Sequence, residues 1–375
     1  MPHLPRPLIR SAGAALAAVA LVAGCTSTAD RPTASASRQP TTPTTSTTHG
    51  TSRAKPTKRA SAPRPVTLSF AGDVNFALRT ARRLSADPAT AFGVAAAQLR
   101  TADLTMVNLE TSISVGGTKY PKEYNFQAPP VALTALKDAG IDIATMANNH
   151  AADYGSAGLA QTLAAIKHSP IPVIGIGKDA DAAFAPWYTT VRGLRIAIIA
   201  ADQVRDESTL PDFSAGPDKP GVANAYRPQL LSTVRAAHAR ADVVIVYLHW
   251  GTEYHSCPNA EQPPLADALV KAGATAVVGT HAHVLLGAGW RKDGSYVAYG
   301  LSNYLWWMSF GNEQDDNGIL TLGFRPHKVV AAHFAPAHLD SQGVPVPATG
   351  PTKARIDAEW QRVRRCAGLL ASPPH

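Results

Sequence analysis

Acidic residues are almost absent from the first 64 residues of this chain of 375. That segment holds nine lysines and arginines but a single acid, Asp30, and so it carries the whole formal charge of +8. Residues 65–375 are therefore formally neutral, and the pI of 9.4 does not describe a nucleic-acid-binding domain. We expect no nucleic-acid partner. The basic segment is better suited to lie near an anionic membrane or wall surface.

Large apolar residues are missing between residues 26 and 64, where the sequence is a mixture of Thr, Ser, Pro, Ala, Lys and Arg. A segment of this composition buries too little apolar surface to offset its ordering entropy. Residues 26–64 are therefore predicted to be a disordered tether.

The 25 residues before the tether have the pattern of an export signal. Arg6 and Arg10 precede a short apolar run, SAGAALAAVALVAG, which ends directly before Cys25. The LVAGC ending resembles the lipobox of bacterial lipoproteins. Residues 1–25 are thus predicted to be a lipoprotein signal peptide, with Cys25 lipidated and the protein anchored to the outer face of the cell membrane. The alternative is an ordinary signal peptide in which the cysteine is incidental.

Cysteine is scarce, with three residues in the chain. Once Cys25 is assigned to the lipid, an even pair remains, Cys257 and Cys366. In an oxidising compartment this pair suggests a disulfide between the last predicted helix and the loop after HWGTEYHS. Two free, buried thiols are the alternative.

The sequence has no internal repeat and no interior linker, which favours one domain over residues 65–340, followed by an extension, 341–375, that contains a helix. Apolar β-rich runs alternate with amphipathic stretches, as in α/β architecture with crossover connections. Because the later strands follow one another over short links, a mixed sheet is predicted. The predicted strands are 66–72, 104–110, 141–149, 172–177, 194–201, 242–250, 275–281, 296–303, 318–324 and 328–336. The predicted helices are about 77–100, 130–139, 156–168, 228–240, 261–272 and 354–369.

Polar side chains stand where the apolar runs stop. Ligands of an α/β sheet bind beyond the carboxyl ends of its strands, and carboxylate, amide and imidazole groups converging there are expected of a zinc or other divalent transition-metal site. One aspartate after a strand is usually a helix N-cap. Six such strand ends are harder to explain by capping, and Gly72, Gly251 and Gly279 would allow close backbone approach. The candidates are Asp73, Asn75, Asn108, Glu110, Asn149, His150, His249, His281, His283 and Asn303.

Two of these candidates, His281 and His283, flank a single alanine in GTHAHV. Along an extended chain, residues two apart point to the same side, so both histidines are expected to face the site. His255, in the loop that follows His249, is a weaker candidate. The other histidines lie at helix ends, in loops or on late strands and are expected to have no role in the site.

The motifs GDVNF, NLET, ANNHAADYG, HWGTEY, GTHAHV and GLSNYL occur in this order between about residues 66 and 307. This set resembles the CapA, or poly-γ-glutamate capsule synthesis, proteins of the calcineurin-like metallophosphatase superfamily. The resemblance implies a four-layer α/β/β/α sandwich with mixed central sheets and a metal centre at their rim. It implies metal ligation by Asp73, Asn149, His249, His281 and His283, a bridging carboxylate at Glu110, and a catalytic His150 that stabilises developing charge or protonates the leaving group.

Two positions depart from the superfamily pattern. Asn75 stands where the first motif, Asp-x-His, has its histidine, and Asn-Leu-Glu, ending at Glu110, replaces Gly-Asp. Both changes weaken one metal position. The centre is therefore expected to hold one or two divalent ions, with Mn, Zn, Fe and Mg all open.

Two functions of different class remain open. The first is a surface-anchored, metal-dependent hydrolase or transferase that acts on a phosphoester or an amide of a capsule, poly-γ-glutamate or other cell-envelope polymer. The second is a non-catalytic accessory lipoprotein of polymer synthesis or export that keeps the scaffold. The expected partners are the polymer, the membrane through the N-terminal lipid, and polymer synthase or export subunits.

Overall fold

Two mixed β-sheets lie face to face at the centre of the computed structural model, which describes residues 64–206, 209–311 and 313–374. The predicted signal peptide, the tether up to residue 63 and Cys25 lie outside the described residues. The strands are β1 (Val66–Val74), β2 (Leu104–Leu109), β3 (Ser112–Ile113), β4 (Gln127–Ala128), β5 (Ile143–Thr145), β6 (Val173–Ile174), β7 (Ile176–Gly177), β8 (Trp187–Val191), β9 (Leu194–Asp202), β10 (Gly221–Val222), β11 (Val243–Trp250), β12 (Ala276–His281), β13 (Ala288–Trp290), β14 (Tyr296–Ala298), β15 (Asn303–Leu305), β16 (Asp316–Arg325), β17 (Lys328–Leu339) and β18 (Pro345–Pro347). The α-helices are α1 (Leu78–Ala86), α2 (Ala95–Leu99), α3 (Val131–Ala139), α4 (Gly155–Lys167), α5 (Ala180–Phe184), α6 (Thr209–Phe213), α7 (Pro228–His238), α8 (Gln262–Lys271) and α9 (Gly350–Cys366).

The two large sheets are both mixed, as predicted. The first has the order β18-β17-β16-β1-β2-β5-β6, with β15 also paired to β1. Its strands β1, β2, β5 and β6 are parallel, and β16 to β18 are antiparallel. The second has the order β13-β14-β12-β11-β9-β8, with parallel central strands and antiparallel edges.

Three buried apolar clusters define the layers. Between the sheets, Phe70 of β1 belongs to the same cluster as Ile198 of β9. The outer face of the first sheet packs on the first helices through residues such as Leu133 of α3. The outer face of the second sheet packs on α7 and α8, for example through Val234 and Leu269. The predicted four-layer α/β/β/α sandwich is confirmed.

Several predicted elements are wrong in their extent. The predicted strand 141–149 is reduced to β5, and the predicted strand 172–177 is divided into β6 of the first sheet and β7, which pairs with β10 in a separate two-stranded sheet. The predicted helix 77–100 is broken because Pro88 lacks an N–H group and the Asp87 side chain accepts from the Ala89 N–H, which begins a separate 3-10 turn. The predicted strand 296–303 is two strands that belong to different sheets, β14 and β15. The chain therefore crosses between the sheets at Ser302, which has a left-handed φ of 63°.

The C-terminal residues pack onto the sheets. Strand β18 joins the edge of the first sheet. Ile356 and Trp360 of α9 are buried in the cluster between the sheets, and the Trp360 ring stacks on Phe334 at a centroid distance of 3.8 Å. Cys366, the last residue of α9, forms a disulfide with Cys257, with their Cα atoms 5.9 Å apart. No α-helix in the described ranges is both long and apolar enough to cross a bilayer.

Candidate metal centre

The carboxyl ends of the parallel strands of both sheets meet at one edge of the molecule. In the second sheet, His249 of β11 lies in register with Thr280 of β12. In the first sheet, Asp73 of β1 lies in register with Asn108 of β2. The backbone N–H of His281 donates to Asp73 Oδ2 at 3.2 Å, which joins the sheets at these strand ends. The candidates predicted from the strand ends therefore lie together.

Two glycines allow the backbones to approach closely behind the site. A Cβ atom on Gly72 would lie 1.8 Å from the Ser302 carbonyl oxygen, and one on Gly279 would lie 2.0 Å from the Trp250 indole nitrogen. Neither contact is sterically possible. A side chain at either position would displace the strands that carry the candidate ligands.

Glu110 is the most unusual group of the site, because its carboxylate is fully buried and no N–H or O–H group of the described residues donates to either oxygen. His249 Nε2 lies 3.6 Å and His150 Nε2 lies 3.8 Å from Glu110 Oε1. Burial, together with the charge of Asp73, raises the pKa of Glu110 well above its usual range. A buried carboxylate without donors is costly, and a bound cation removes that cost.

The donor atoms around His249 have the spacing of metal ligands. His249 Nε2 lies 2.9 Å from Asn149 Oδ1, 3.1 Å from His281 Nδ1 and 3.6 Å from Glu110 Oε1. Metal–ligand bonds of 2.0–2.2 Å place neighbouring ligand atoms about 3.0–3.5 Å apart. Three potential ligand atoms, from Asn149, His281 and Glu110, therefore lie at about ligand–ligand distance from His249 Nε2.

Asp73 lies beside a second group of donors. Asn108 Nδ2 donates to Asp73 Oδ1 at 2.8 Å, and His283 Nδ1 lies 3.8 Å from Asp73 Oδ2. Asn303 Oδ1 is 2.7 Å from the same His283 nitrogen. Burial raises the pKa of Asp73 to about 6.

Glu110 belongs to two potential ligand sets. Ligand atoms of Glu110, His281 and His283 lie within 4.8 Å of one another, and so do those of Asp73, Glu110 and His249. Burial lowers the pKa of His283 to about 4 and that of His249 and His281 well below the usual range, so these imidazoles are neutral, the form that binds metal. A mixed carboxylate, amide and imidazole set suits zinc, iron or manganese.

The backbone of the HAH turn differs from the sequence-based prediction. His281 and His283 have left-handed φ angles of 94° and 56°. The predicted extended backbone is therefore wrong, although both histidines belong to one potential ligand set with Glu110 and their ring centroids lie 5.8 Å apart. The turn holds two non-glycine residues in a conformation that costs about 1–3 kcal/mol each.

A buried ion pair contacts the loop that follows β5. Lys122 Nζ lies 2.7 Å from Asp153 Oδ1 and donates to the Asn149 carbonyl oxygen at 2.5 Å. Asp153 Oδ2 accepts from His150 Nδ1 at 2.7 Å. Because the ion-paired Asp153 only accepts, His150 Nδ1 carries a proton and its Nε2 faces Glu110. Burial lowers the pKa of His150 despite this pairing.

Of the four weaker candidates, Asn108 and Asn303 lie in the site as described above, and Asn75 and His255 have different outcomes. Asn75 is buried beside the site, where its Nδ2 donates to the Glu110 carbonyl oxygen at 2.8 Å and its Oδ1 has no partner among the described residues. His255 is exposed, and its Nδ1 lies 2.8 Å from the backbone oxygen of Glu253. His255 is therefore not part of the site.

Several residues that border the site were not predicted from the sequence. Asp202 ends β9 in register with His249, is fully buried and has a pKa raised well above its usual range by burial. The strand-end rule would have identified it had the strand been extended by one residue. Glu253 lies in HWGTEY and Asp153 in ANNHAADYG, two motifs that were identified without assigning these acids a role.

The part of the chain that contains this site is similar to a known protein family. A model of the family described as "Bacterial capsule synthesis protein PGA_cap" matches residues 67–306. The chain belongs to this family. The match begins in β1 and includes every candidate ligand from Asp73 to Asn303.

Curated relatives of this PGA_cap protein have capsule-related names. The chain is 28% identical over 235 residues to the "Capsule biosynthesis protein CapA" of Bacillus anthracis, covering 62% of this chain and 56% of that protein. It is 32% identical over 195 residues to the "PGA biosynthesis protein CapA" of Bacillus subtilis, covering 52% and 50%. The "Probable polyglutamine synthesis accessory protein Rv0574c" of Mycobacterium tuberculosis is 30% identical over 192 residues, covering 48% and 50%. The chain thus spans about half the length of these relatives.

Solved structures with a similar arrangement are more distant. The calcineurin-like phosphoesterase YfkN of Bacillus subtilis has 15% identity and a TM-score of 0.43, covering 81% of this chain and 99% of that chain. A phosphatase of Mycoplasma pneumoniae has 19% identity and a TM-score of 0.43, covering 73% and 94%. At these scores we take no residue role from either structure.

Proposed function

We propose that this PGA_cap protein is a metal-dependent hydrolase or transferase that acts on a capsule or cell-envelope polymer. The observation that carries the proposal is Glu110, a buried carboxylate without a hydrogen-bond donor that is common to two potential ligand sets. Asp73, Glu110, Asn149, His249, His281 and His283 would hold a divalent ion there, and its Lewis acidity would polarise the bond under attack and make water a better nucleophile near neutral pH. The capsule-related names of the relatives support the polymer as substrate.

His150 is proposed to serve the leaving group. Its Nε2 faces the site, and Asp153 holds the opposite ring nitrogen at 2.7 Å. His150 Nε2 would take the proton that the attacking water gives up and deliver it to the leaving group. Asp153 fixes the ring orientation and would stabilise the imidazolium in between. Lys122 pairs with Asp153 at 2.7 Å and holds it in place.

Metal analysis is the first test. Purified protein, incubated with Mn²⁺ or Zn²⁺ and then desalted, is expected to retain at least one ion per chain by mass spectrometry of the metal. His281→Ala is expected to lose it, whereas His255→Ala, a matched histidine change outside the site, retains it. No retained metal in the wild-type protein would overturn the proposal.

Turnover is the second test. Metal-loaded protein is assayed with bis(p-nitrophenyl) phosphate as a phosphodiester and with γ-glutamyl-p-nitroanilide as an amide. Turnover of either that is lost on chelation and in His150→Ala supports the enzyme and identifies the bond. His150→Ala is expected to keep its metal, because His150 belongs to neither potential ligand set.

A non-catalytic accessory role is the second candidate, favoured by the word "accessory" in the name of the Mycobacterium tuberculosis relative. Under this role the metal is structural. The protein would retain metal, turn over neither substrate, and unfold cooperatively when Asp73→Ala or His249→Ala removes the ion. A retained fold without metal argues against a structural ion.

Surface anchoring is proposed from the LVAGC sequence that ends at Cys25. Expressed with its own N-terminus in a bacterium, the wild-type protein is expected in the membrane fraction and to label with a fatty-acid analogue. Cys25→Ser is expected to lose the label. A wild-type protein without label would leave the ordinary signal peptide as the better description.

A further inference from the structure

Two cavities border the candidate metal centre, and Glu253 lines both of them. One, of about 410 Å³, is polar and includes Asn149, His281 and Arg205 in its wall. The other, here called the aromatic cavity, includes the two candidate site histidines His150 and His283. The remaining wall of the aromatic cavity consists of Tyr124, Phe126, Tyr254, Trp306, Trp307, Met308 and Phe310. A substrate at the centre therefore has two chemically different environments beside it.

The aromatic rings reach the candidate site directly. The Phe126 ring lies 4.5 Å from the His150 ring, and the Trp306 ring lies 4.9 Å from the His283 ring, between centroids. Trp307 packs against Phe126 at 5.5 Å. A group in this cavity would thus contact both the ring faces and the histidine that is proposed to serve the leaving group.

The aromatic cavity is the narrower of the two. Its volume is about 30 Å³, against about 410 Å³ for the polar cavity. A small group at the end of a chain suits this narrow space better than a bulky ring does.

The side chains that line the aromatic cavity supply no basic group to pair with an anion. None of its lining residues is a lysine or arginine, and Glu253 is its one carboxylate. Within the described ranges no lysine or arginine is paired with Glu253, and the Nε2 of the neutral His283 ring lies 4.0 Å from its Oε1. Aromatic faces and a carboxylate both attract cations, and both repel a carboxylate or phosphate.

We propose that the aromatic cavity is a subsite for a small cationic group, a protonated amine, on the leaving-group side of the substrate, with Glu253 as its counter-ion. The leaving-group assignment rests on the proposed function, because it depends on His150. The recognition of the amine does not, since it depends on the rings and on Glu253. This selects substrates with an ammonium group next to the reacting bond over substrates with an anion there.

Small probes test the subsite independently of turnover. The Zn²⁺-loaded full chain is titrated by calorimetry with n-butylammonium, n-butanol and butyrate, which share a chain and differ in charge. Butylammonium is expected to bind at least tenfold more tightly than the other two. Equal binding of butanol would mean apolar burial alone, and tighter binding of butyrate would mean an anion site; either result overturns the proposal, as does the absence of binding.

Variants assign the binding to this cavity. Glu253→Gln is expected to weaken the binding of butylammonium at least tenfold, and Trp307→Leu is expected to weaken it at least threefold. Glu359→Gln makes the same charge change on α9, outside the aromatic cavity, and is expected to leave the affinity unchanged. Far-UV circular dichroism and metal content check that each variant is folded. An unchanged affinity in Glu253→Gln would overturn the proposal.

The two proposals fail separately. If butylammonium binds through Glu253 and neither chromogenic substrate is turned over, the subsite stands and the hydrolase does not. If turnover is observed and butylammonium does not bind, the hydrolase stands and the cationic subsite does not.

Discussion

Lys122 and Asp153 form an ion pair directly beneath the loop that carries Asn149 and His150. The Lys122 side chain is 10% exposed and the Asp153 side chain is fully buried, with 2.7 Å between Nζ and Oδ1. Lys122 also donates to the Asn149 carbonyl oxygen, and Asp153 also accepts from His150. One buried pair thus orients both a candidate metal ligand and the candidate catalytic histidine.

Lys122→Met is expected to lower the free energy of unfolding by about 3 kcal/mol, because it leaves the Asp153 carboxylate buried without its cation. Urea denaturation of the metal-free protein measures this change. Lys119→Met, an exposed lysine nearby in the sequence, is expected to change it by less than about 0.5 kcal/mol. Equal losses of unfolding free energy in the two variants would mean that the ion pair does not stabilise the fold.

Glu110→Gln is expected to act in opposite directions with and without metal. In the metal-free protein it removes a buried charge that lacks donors and raises the free energy of unfolding by about 1–3 kcal/mol. A metal ion at a hundredfold excess over its Kd is expected to raise the free energy of unfolding of the wild-type protein by about 2.7 kcal/mol. The same ion is expected to raise that of the variant by little. Thermal unfolding with and without Zn²⁺ measures both.

The sign of the pH dependence follows from the raised pKa of Glu110. A carboxyl whose pKa is higher in the folded state stabilises the protein only at low pH, and this contribution is lost as the pH rises from about 4.5. The advantage of metal-free Glu110→Gln over wild type is therefore expected to grow with pH. A constant difference between pH 4 and pH 8 would contradict it.

Asp103 joins the two sheets at the end remote from the site. Its carboxylate accepts from the backbone and side chain of Thr67, both at 2.8 Å, and pairs with Arg192 in the turn between β8 and β9. The Arg192 guanidinium holds the pKa of Asp103 well below its usual range. A carboxyl with a lowered pKa stabilises the fold above its ordinary value of about 4 and loses this effect as the pH falls below it.

Asp103→Asn is therefore expected to lower Tm at pH 7, with the difference from wild type narrowing below pH 4. Asp218→Asn, at an exposed aspartate, is expected to show no such dependence. Thermal unfolding between pH 3 and pH 7 measures both variants. A Tm difference between Asp103→Asn and wild type that increases as the pH falls would contradict the stabilising role of the Asp103 carboxylate.

The Cys257–Cys366 bridge spans 109 residues of sequence, and its removal is expected to cost about 4 kcal/mol. The double variant Cys257→Ser/Cys366→Ser is compared with wild type in urea, with and without reductant. Metal content is expected to be unchanged, because neither cysteine contacts a candidate ligand. Detection of two titratable thiols in denatured, unreduced protein would show that this disulfide does not form.

Much of the site could be predicted from residues at strand ends. Asp73, Asn108, His249 and Asn303 each follow or end an apolar run, and parallel pairing brings such ends to one edge. The same rule identified Asn303 even though the strand assigned to it was wrong, because the crossing at Ser302 carries the chain to β1.

Other features depend on contacts that sequence patterns do not carry. Lys122 acts through Asp153 and Asn149, about thirty residues away, and nothing in KEYNF marks that contact. The left-handed φ angles of His281 and His283 could not be predicted, because this conformation is usually signalled by glycine and both positions are histidines.

The boundary of family similarity and the boundary of folding do not coincide in this chain. The family match ends at residue 306, yet β16, which pairs directly with β1, and α9, which fills the space between the sheets with Trp360, follow that point. A fragment cut at residue 306 would remove β16, the antiparallel neighbour of β1, and open the inner core to water. Recombinant work on the candidate centre therefore needs the chain through Cys366, even though every candidate ligand precedes residue 306.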